Sequence, residues 1–163
     1  MSVNGTFFVT AEFYYPTYRT RTSSNGNTYT EFDGYQYTHA MVLGIDPSGN
    51  KEFEHCIPLK LDFKPFVAYQ TLRKVVVDDE VKFVYIASNK IYTATIADGD
   101  LKENEPKIFA EVDDDKKLKS TSNYINGWYD NFYFCYSSQT TKEKGKLVGG
   151  RETNYYLIKY RVD

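Results

Sequence analysis

Two cysteines, two histidines and a single tryptophan are all that 163 residues contain. So few cysteines cannot build a disulfide framework. With no C-x-x-C and no H-E-x-x-H spacing, His39 and His55 do not suggest a zinc site, and no metal or other cofactor is expected. No run of about 18 apolar residues is present, so no membrane-spanning helix is expected. The stretch from Met1 to Phe13 lacks the basic start and long apolar core of a secretory signal. Twenty Lys and Arg stand against 22 Asp and Glu, a net charge of −2. That balance offers no cationic surplus for non-specific nucleic-acid binding. Five prolines and ten glycines punctuate the chain. Helical periodicity is missing throughout, and the best helical stretch, Asp113 to Ser120, has almost no apolar content.

What the chain does have is rings. Tyr 16, Phe 11 and Trp 1 make 17% of the sequence, within 41% hydrophobic and 26% charged residues overall. That composition supports a folded core. Tyr and Phe fit the pleated surface of a strand. Strand signals recur along the chain: Thr6–Tyr15, Thr17–Arg21, Thr28–Phe32, Tyr35–Asp46, Lys51–Pro58, Val67–Leu72, Lys74–Val77, Val81–Ser88 and Lys90–Ala97. Lys107–Val112, Ser120–Ile125, Asn131–Ser138 and Asn154–Val162 follow. Asn25-Gly26 reads as a two-residue hairpin turn with positive φ at both positions. Asp46-Pro47-Ser48-Gly49-Asn50, Asp78-Asp79, Ser88-Asn89 and Asn126-Gly127 read as further turns. Thr140 to Gly150, rich in Lys and Gly, reads as a mobile loop.

A repeat runs through this series. Thr6–Tyr15 with Tyr35–Asp46, Val81–Ser88 with Lys90–Ala97, and Asn131–Ser138 with Asn154–Val162 share one plan of aromatic strand, connection and second strand. Their anchors Phe7, Phe83 and Phe132 lie 76 and 49 residues apart. Setting aside a 19-residue hairpin, residues 16–34, brings the first interval to 57. Periods of this order are those of propeller blades. Several strands are apolar on both faces: Val81, Phe83 and Tyr85 against Val84 and Ile86, and Phe132, Phe134 and Tyr136 against Tyr133 and Cys135. A blade stacked between two others needs such a strand, whereas a sandwich keeps one face polar. The expected fold is all-β, with about three antiparallel meander units resembling propeller blades in an incomplete or open ring. The first unit is expected to lack an inner strand before Thr6.

The strand–turn–strand segment from Ala40 to Phe53 looks like the last hairpin of a propeller blade. Together with Glu12-Phe13-Tyr14-Tyr15-Pro16, Thr30-Glu31-Phe32-Asp33-Gly34-Tyr35 and Trp128-Tyr129-Asp130-Asn131, it resembles the C-terminal region of uncharacterised bacterial β-repeat proteins. That resemblance implies an envelope or secreted protein, and it carries no catalytic motif. Residues 1–163 then read as one all-β domain, or as a piece of a longer propeller-like protein.

The chemistry-bearing residues offer little toward catalysis. His39 falls in phase with Tyr35, Tyr37, Met41, Leu43 and Ile45 on one strand face, where a packed histidine is expected. His55 and Cys56 are strand neighbours pointing to opposite faces. Cys135 alternates with aromatics and reads as a buried free thiol, not a partner for Cys56. Asp78-Asp79-Glu80, Asp98-Gly99-Asp100 and Asp113-Asp114-Asp115 fit no calcium loop and read as turn supports. Glu52 and Glu54 share a strand face on simple alternation, and water-facing carboxylates are expected there more than a glycosidase pair.

The stretch from Tyr14 to Tyr37 stands apart. Tyr14, Tyr15, Tyr18, Arg19, Tyr29 and Tyr35 are the expected ligand-binding residues, since Tyr offers apolar area, a polar tip and little side-chain entropy. Cross-strand pairing that stiffens the hairpin accounts for the same rings equally well. The expected function is a non-catalytic binding or scaffold module, meeting another protein or another copy through blade edges and this hairpin. The alternative is a carbohydrate-binding module using the exposed tyrosines, and a glycoside hydrolase is the remote one.

Overall fold

The computed structural model describes residues 2–3, 5–61, 63–109, 116–145 and 150–162. All regular structure among them is β, in twelve strands. The first four are β1 (Ser2–Val3), β2 (Thr6–Thr22), β3 (Thr28–Ile45) and β4 (Lys51–Pro58). The next five are β5 (Arg73–Val77), β6 (Glu80–Ala87), β7 (Lys90–Ala97), β8 (Asp100–Glu103) and β9 (Lys107–Ile108). β10 (Lys116–Tyr129), β11 (Phe132–Glu143) and β12 (Arg151–Arg161) complete the set. They form three antiparallel sheets in chain order: β1-β2-β3-β4, then β5-β6-β7-β8 with β9 also on β7, then β10-β11-β12. None closes into a barrel, so the architecture is three open, blade-like meanders. The anchors Phe7, Phe83 and Phe132 each lie on the second strand of their sheet. No helix of the described residues is long and apolar enough to cross a membrane.

The middle sheet is buried on both sides. Val81, Phe83, Tyr85 and Ala87 of β6, with Ala94 and Ile96 of β7, meet Phe8, Tyr37, Ala40, Val42 and Ile57 of the first sheet. Val84, Ile86 and Ile91 turn the other way, against Ile125, Tyr133, Cys135 and Val162 of the third sheet. Burying each large side chain contributes about 1.5–3 kcal/mol. Strict alternation along β6 thus supplies two cores from one strand.

Polar ties fix how the sheets sit. Asn123 of β10, oriented with its amide nitrogen toward the middle sheet, donates to the Ser88 carbonyl at 3.2 Å and to Ser137 Oγ at 2.7 Å. Its oxygen accepts from Ser88 N–H at 3.2 Å. Residues 59–72 cross between the sheets, and Glu12 of β2 holds that linker by its Thr71 and Leu72 amides at 2.9–3.0 Å. The linker then runs so close to β3 that a Cβ on Gly34 would meet the Lys64 carbonyl oxygen at 2.5 Å.

Several strand expectations change. Val67–Leu72 is not a strand but part of the linker, because its amides bond to the Glu12 carboxylate instead of a ladder. Pro16 does not divide two strands: β1 covers β2 only at Thr6 and Phe7, and an uncovered edge strand tolerates a residue without N–H. A short β1 does precede Thr6. The loop after Thr22 spans Ser23–Asn27 in place of a two-residue turn, closed by Ser23 N–H on the Asn27 carbonyl at 2.8 Å. β8 arises where no strand was expected, and Asn126-Gly127 lies inside β10, the turn falling instead at Asp130-Asn131. β11 and β12 extend to Glu143 and back to Arg151, shortening the expected loop to residues of which 146–149 lie outside the description. Asp113–Asp115, and the part of Lys107–Val112 beyond Phe109, also lie outside it. Asp78, Asp79 and Asp98 sit in turns with φ of 50–62°, the turn-supporting role expected of them.

Candidate functional site

Register decides which rings share a surface, because directly paired residues of an antiparallel sheet project from the same face. On hairpin β2–β3, Tyr14 pairs with Tyr37 and Tyr18 with Phe32, while Tyr15 pairs with Gln36, Arg19 with Glu31 and Arg21 with Tyr29. The six expected ligand-binding residues therefore separate into two groups. Tyr14, Tyr18 and Tyr35 lie on the face that continues toward the core. Tyr15, Arg19 and Tyr29 lie on the opposite face. Arg19 is engaged within the hairpin, its Nε 2.5 Å from Glu31 and 3.3 Å from Asp33. Arg21 bonds the same Glu31 carboxylate, and together the two guanidinium groups hold it below the usual carboxylate range.

The same pairing corrects the expected phase of His39. A bulge at Thr38, whose hydroxyl donates to the Phe13 carbonyl at 3.2 Å, shifts the alternation. Tyr37 is buried in the core, while His39 turns outward and stacks on Phe13, with ring centroids 4.6 Å apart. A second bulge, between Gly44 and Ile45, separates the two glutamates. Glu54 pairs outward beside Lys51 at 2.9 Å. Glu52 lines a cleft of about 620 Å³ between the first two sheets and accepts from Thr6 Oγ1 at 2.6 Å. Asp79, Asp98 and Asp100 line that cleft too, with His55 bonded to the Gly99 carbonyl at 2.5 Å. Among the described residues no group of three or more His, Cys, Asp or Glu is arranged to hold a metal ion. Cys56 is exposed and Cys135 buried, both as free thiols, and burial pushes the Cys135 thiol up to about 12.

Beyond the hairpin, the core-side rings continue into a line. Successive centroids run Tyr18–Phe32 (6.0 Å), Phe32–Tyr35 (5.2 Å), Tyr35–Tyr14 (5.3 Å) and Tyr14–Tyr37 (5.0 Å). The line then leaves the hairpin through Tyr37–Tyr69 (6.4 Å), Tyr69–Tyr124 (5.5 Å), Tyr124–Tyr136 (6.4 Å) and Tyr136–Tyr155 (6.5 Å). Tyr69 is the hinge of this series. Its N–H donates to Tyr37 Oη at 2.8 Å, and its carbonyl accepts from that hydroxyl at 2.6 Å. Burial raises the phenol pKa of both residues, so both stay neutral. From Tyr69 to Tyr155, neighbouring planes differ by only 27–32°.

Tyr69, Tyr124, Tyr136 and Tyr155 were not among the expected site residues. Tyr124, Tyr136 and Tyr155 stand on the outward face of the third sheet, and Tyr155 is 70% exposed. Their sequence signal was the alternation of aromatics along β11 and β12. The outward face of the first sheet is apolar as well, with Phe7, Val9 and Phe13 exposed. The chain matches no family model, no curated protein and no solved structure.

Proposed function

We propose that this chain is a non-catalytic interaction module that takes another protein, or a second copy of itself, on hairpin β2–β3 and on the edges of its sheets. The observation that supports this reading is the hairpin's outer half. From Tyr14 to Thr22 β2 pairs only with β3, and from Thr28 to Asp33 β3 pairs only with β2; from there the linker covers β3, with the Tyr35 N–H donating to the Pro65 carbonyl at 2.9 Å. The ribbon thus presents strand edges on which another chain can add hydrogen bonds, with Tyr15, Tyr18 and Tyr29 exposed beside them. Tyr18 is 64% exposed and so available as an anchor. The separation of Glu52 from Glu54 removes the carboxylate pair that the sequence offered to a hydrolase.

Light scattering coupled to gel filtration across a wide concentration range tests this reading. Expected is a concentration-dependent assembly that Tyr18→Ala with Tyr29→Ala weakens without lowering the melting temperature. A chain that remains monomeric throughout, and on which no purified partner buries the hairpin, sinks it.

A second reading, carbohydrate binding, is favoured by one specific observation: the evenly inclined tyrosine row from Tyr69 to Tyr155. Such rings offer apolar faces and hydroxyl tips at regular intervals, which suits a polymer of sugar rings.

A further inference from the structure

We propose that two copies of this chain close head to tail into one ring of six sheets, the outward face of sheet β10-β11-β12 in each copy seated on the outward face of sheet β1-β2-β3-β4 in the other. The proposal rests on the self-association reading and gives the second copy a different surface, sheet faces in place of the hairpin's edges.

The three sheets stack in series. The first turns its inner face to the second, and the second turns its other face to the third. Each junction sets apolar side chains of one sheet against those of the next: Val42 and Ile57 with Phe83, then Val84 and Ile86 with Tyr133 and Cys135. Among the described residues no sheet packs on the two end faces, yet both have the character of the faces inside. On the first sheet Phe7, Val9, Phe13 and Tyr15 are 41–52% exposed, and they share their side with Met41 and Leu43. Every residue that β2 presents on this side from Phe7 to Tyr15 is uncharged. On the third sheet Tyr124, Phe134, Tyr136, Tyr155 and Leu157 are 36–70% exposed. Across the rows Asn126–Phe134–Lys159, Tyr124–Tyr136–Leu157 and Ser122–Ser138–Tyr155, Lys159 is the sole charge, and it lies 4.0 Å above the Phe132 ring. A sheet face meant for water alternates to polar side chains. Large contiguous apolar patches are rare on a monomer, and here two stand at opposite ends of one stack.

Area decides between one seam and two. At about 200 Å² for a whole large side chain, these exposed fractions leave roughly 500 Å² of apolar surface on the third sheet and roughly 350 Å² on the first. One seam between them buries roughly 850 Å², below the roughly 1,200–2,000 Å² of a stable specific interface. Two identical seams about a two-fold axis bury roughly 1,700 Å², inside that range. The count agrees, because blade-like sheets close in rings of about four to eight, and two copies of three sheets supply six where three copies would supply nine. An unrelated partner seated on one end face leaves the other wet. A second copy covers both.

The test is sedimentation equilibrium of the whole chain over a wide concentration range. Expected is a monomer–dimer equilibrium with no larger species. Val9→Lys on the first sheet and Leu157→Glu on the third are each expected to raise the dissociation constant about tenfold or more, since each spoils both seams. Mixing these two variants is expected to recover dimer, because one seam is then intact and the other brings introduced charges of opposite sign together. Val9→Ile and Leu157→Met are expected to retain assembly, and unchanged circular dichroism in the charged variants separates loss of the seam from loss of the fold. A chain that stays monomeric overturns the proposal and the self-association reading with it. A dimer that Tyr18→Ala with Tyr29→Ala dissolves, and that both charged variants leave intact, overturns the proposal while the hairpin reading stands. Sensitivity to only one of the two charged variants means that a face pairs with its own kind, and overturns the proposal too. So does an assembly that grows past two chains, as an unclosed stack would.

Discussion

Glu12 and Thr71, 59 residues apart, are joined by one carboxylate: Glu12 takes the Thr71 amide at 2.9 Å and the Thr71 hydroxyl at 2.7 Å. The Leu72 amide adds a further bond at 2.9 Å. These bonds end the linker where β5 begins, and they keep Tyr69 in place between Tyr37 and Tyr124. Removing the carboxylate leaves linker amides without their acceptor. Glu12→Ala is expected to lower stability by about 2 kcal/mol and the melting temperature by about 6 °C. Hydrogen exchange at the Thr71 and Leu72 amides should rise most. Unchanged melting and exchange in Glu12→Ala would show that the linker is held by other means.

Gly34 makes a separate demand. Its φ of +101° and the approach of the Lys64 carbonyl leave no room for a side chain. Gly34→Ala is expected to destabilise by about 2–3 kcal/mol through backbone strain together with steric overlap. Chemical denaturation will measure it. An alanine there at no cost would mean that the linker does not run against β3.

The middle and third sheets are joined by Asn123. Asn123→Ala removes an amide that meets both the donor and the acceptor of half-buried Ser88, whose carbonyl keeps the Gln139 side-chain amide at 3.4 Å. The expected loss is about 1–3 kcal/mol, with faster exchange concentrated at the Ser88 turn and along β10. A loss confined to β10, with the turn unaffected, would contradict this bridge.

Alkaline pH is expected to weaken the fold. The Cys135 thiol stands at about 12 against an ordinary 9.0, and burial raises Tyr37, Tyr69, Tyr85 and Tyr133 above their usual 10.0. In each case the folded pKa exceeds the unfolded one. The stabilising contribution is therefore complete below the unfolded value and disappears as pH climbs from about 9 toward the folded values. Thermal melts between pH 8 and about 11 should show a falling midpoint, less steep in Cys135→Ala. In the native state a thiol reagent should label Cys56 and spare Cys135. Rapid labelling of Cys135, or a midpoint independent of pH, would refute the burial argument.

Acid acts locally instead. Asp46 accepts from the Asn50 side-chain amide at 3.0 Å and from the Asn50 and Ser48 backbone amides at 2.8 Å, and these bonds hold it below its ordinary carboxylate value, as the two arginines hold Glu31. Depressed values give stabilisation that is present at neutral pH and lost as pH falls through the folded pKa. Exchange at the Ser48 and Asn50 amides should therefore accelerate below about pH 4 before the cores open. Simultaneous opening of turn and core would show that the turn carboxylate has no separate role.

Alternation along the chain carried the architecture. Val81 through Ile86 read as a strand apolar on both faces, and those residues do divide between two cores. Turns marked by Asp or Gly were legible for the same local reason: positive φ at Asp78, Asp98 and Gly49 favours those residue types. Bulges were not legible, since one extra residue at Thr38 costs nothing in composition yet sends His39 and Tyr37 to opposite faces. The hairpin rings were picked out by density alone, and density does not distinguish the face of Tyr14 from that of Tyr15. Tyr69 and Tyr124 come together because Glu12 and the Tyr37 hydroxyl hold a linker whose apolar residues resemble those of a strand. No local pattern announces a tie across 59 residues.

The middle sheet has one further consequence, in the order in which the chain is made. Synthesis completes β5 to β8 after the first sheet has emerged, so Phe83 and Tyr85 find their cover at once. Val84, Ile86 and Ile91 must wait until β10 to β12 leave the ribosome. In that interval the nascent protein carries a sticky, half-finished surface of the kind that invites chaperones or neighbouring chains. A messenger cut short after Glu103 would make that interval permanent.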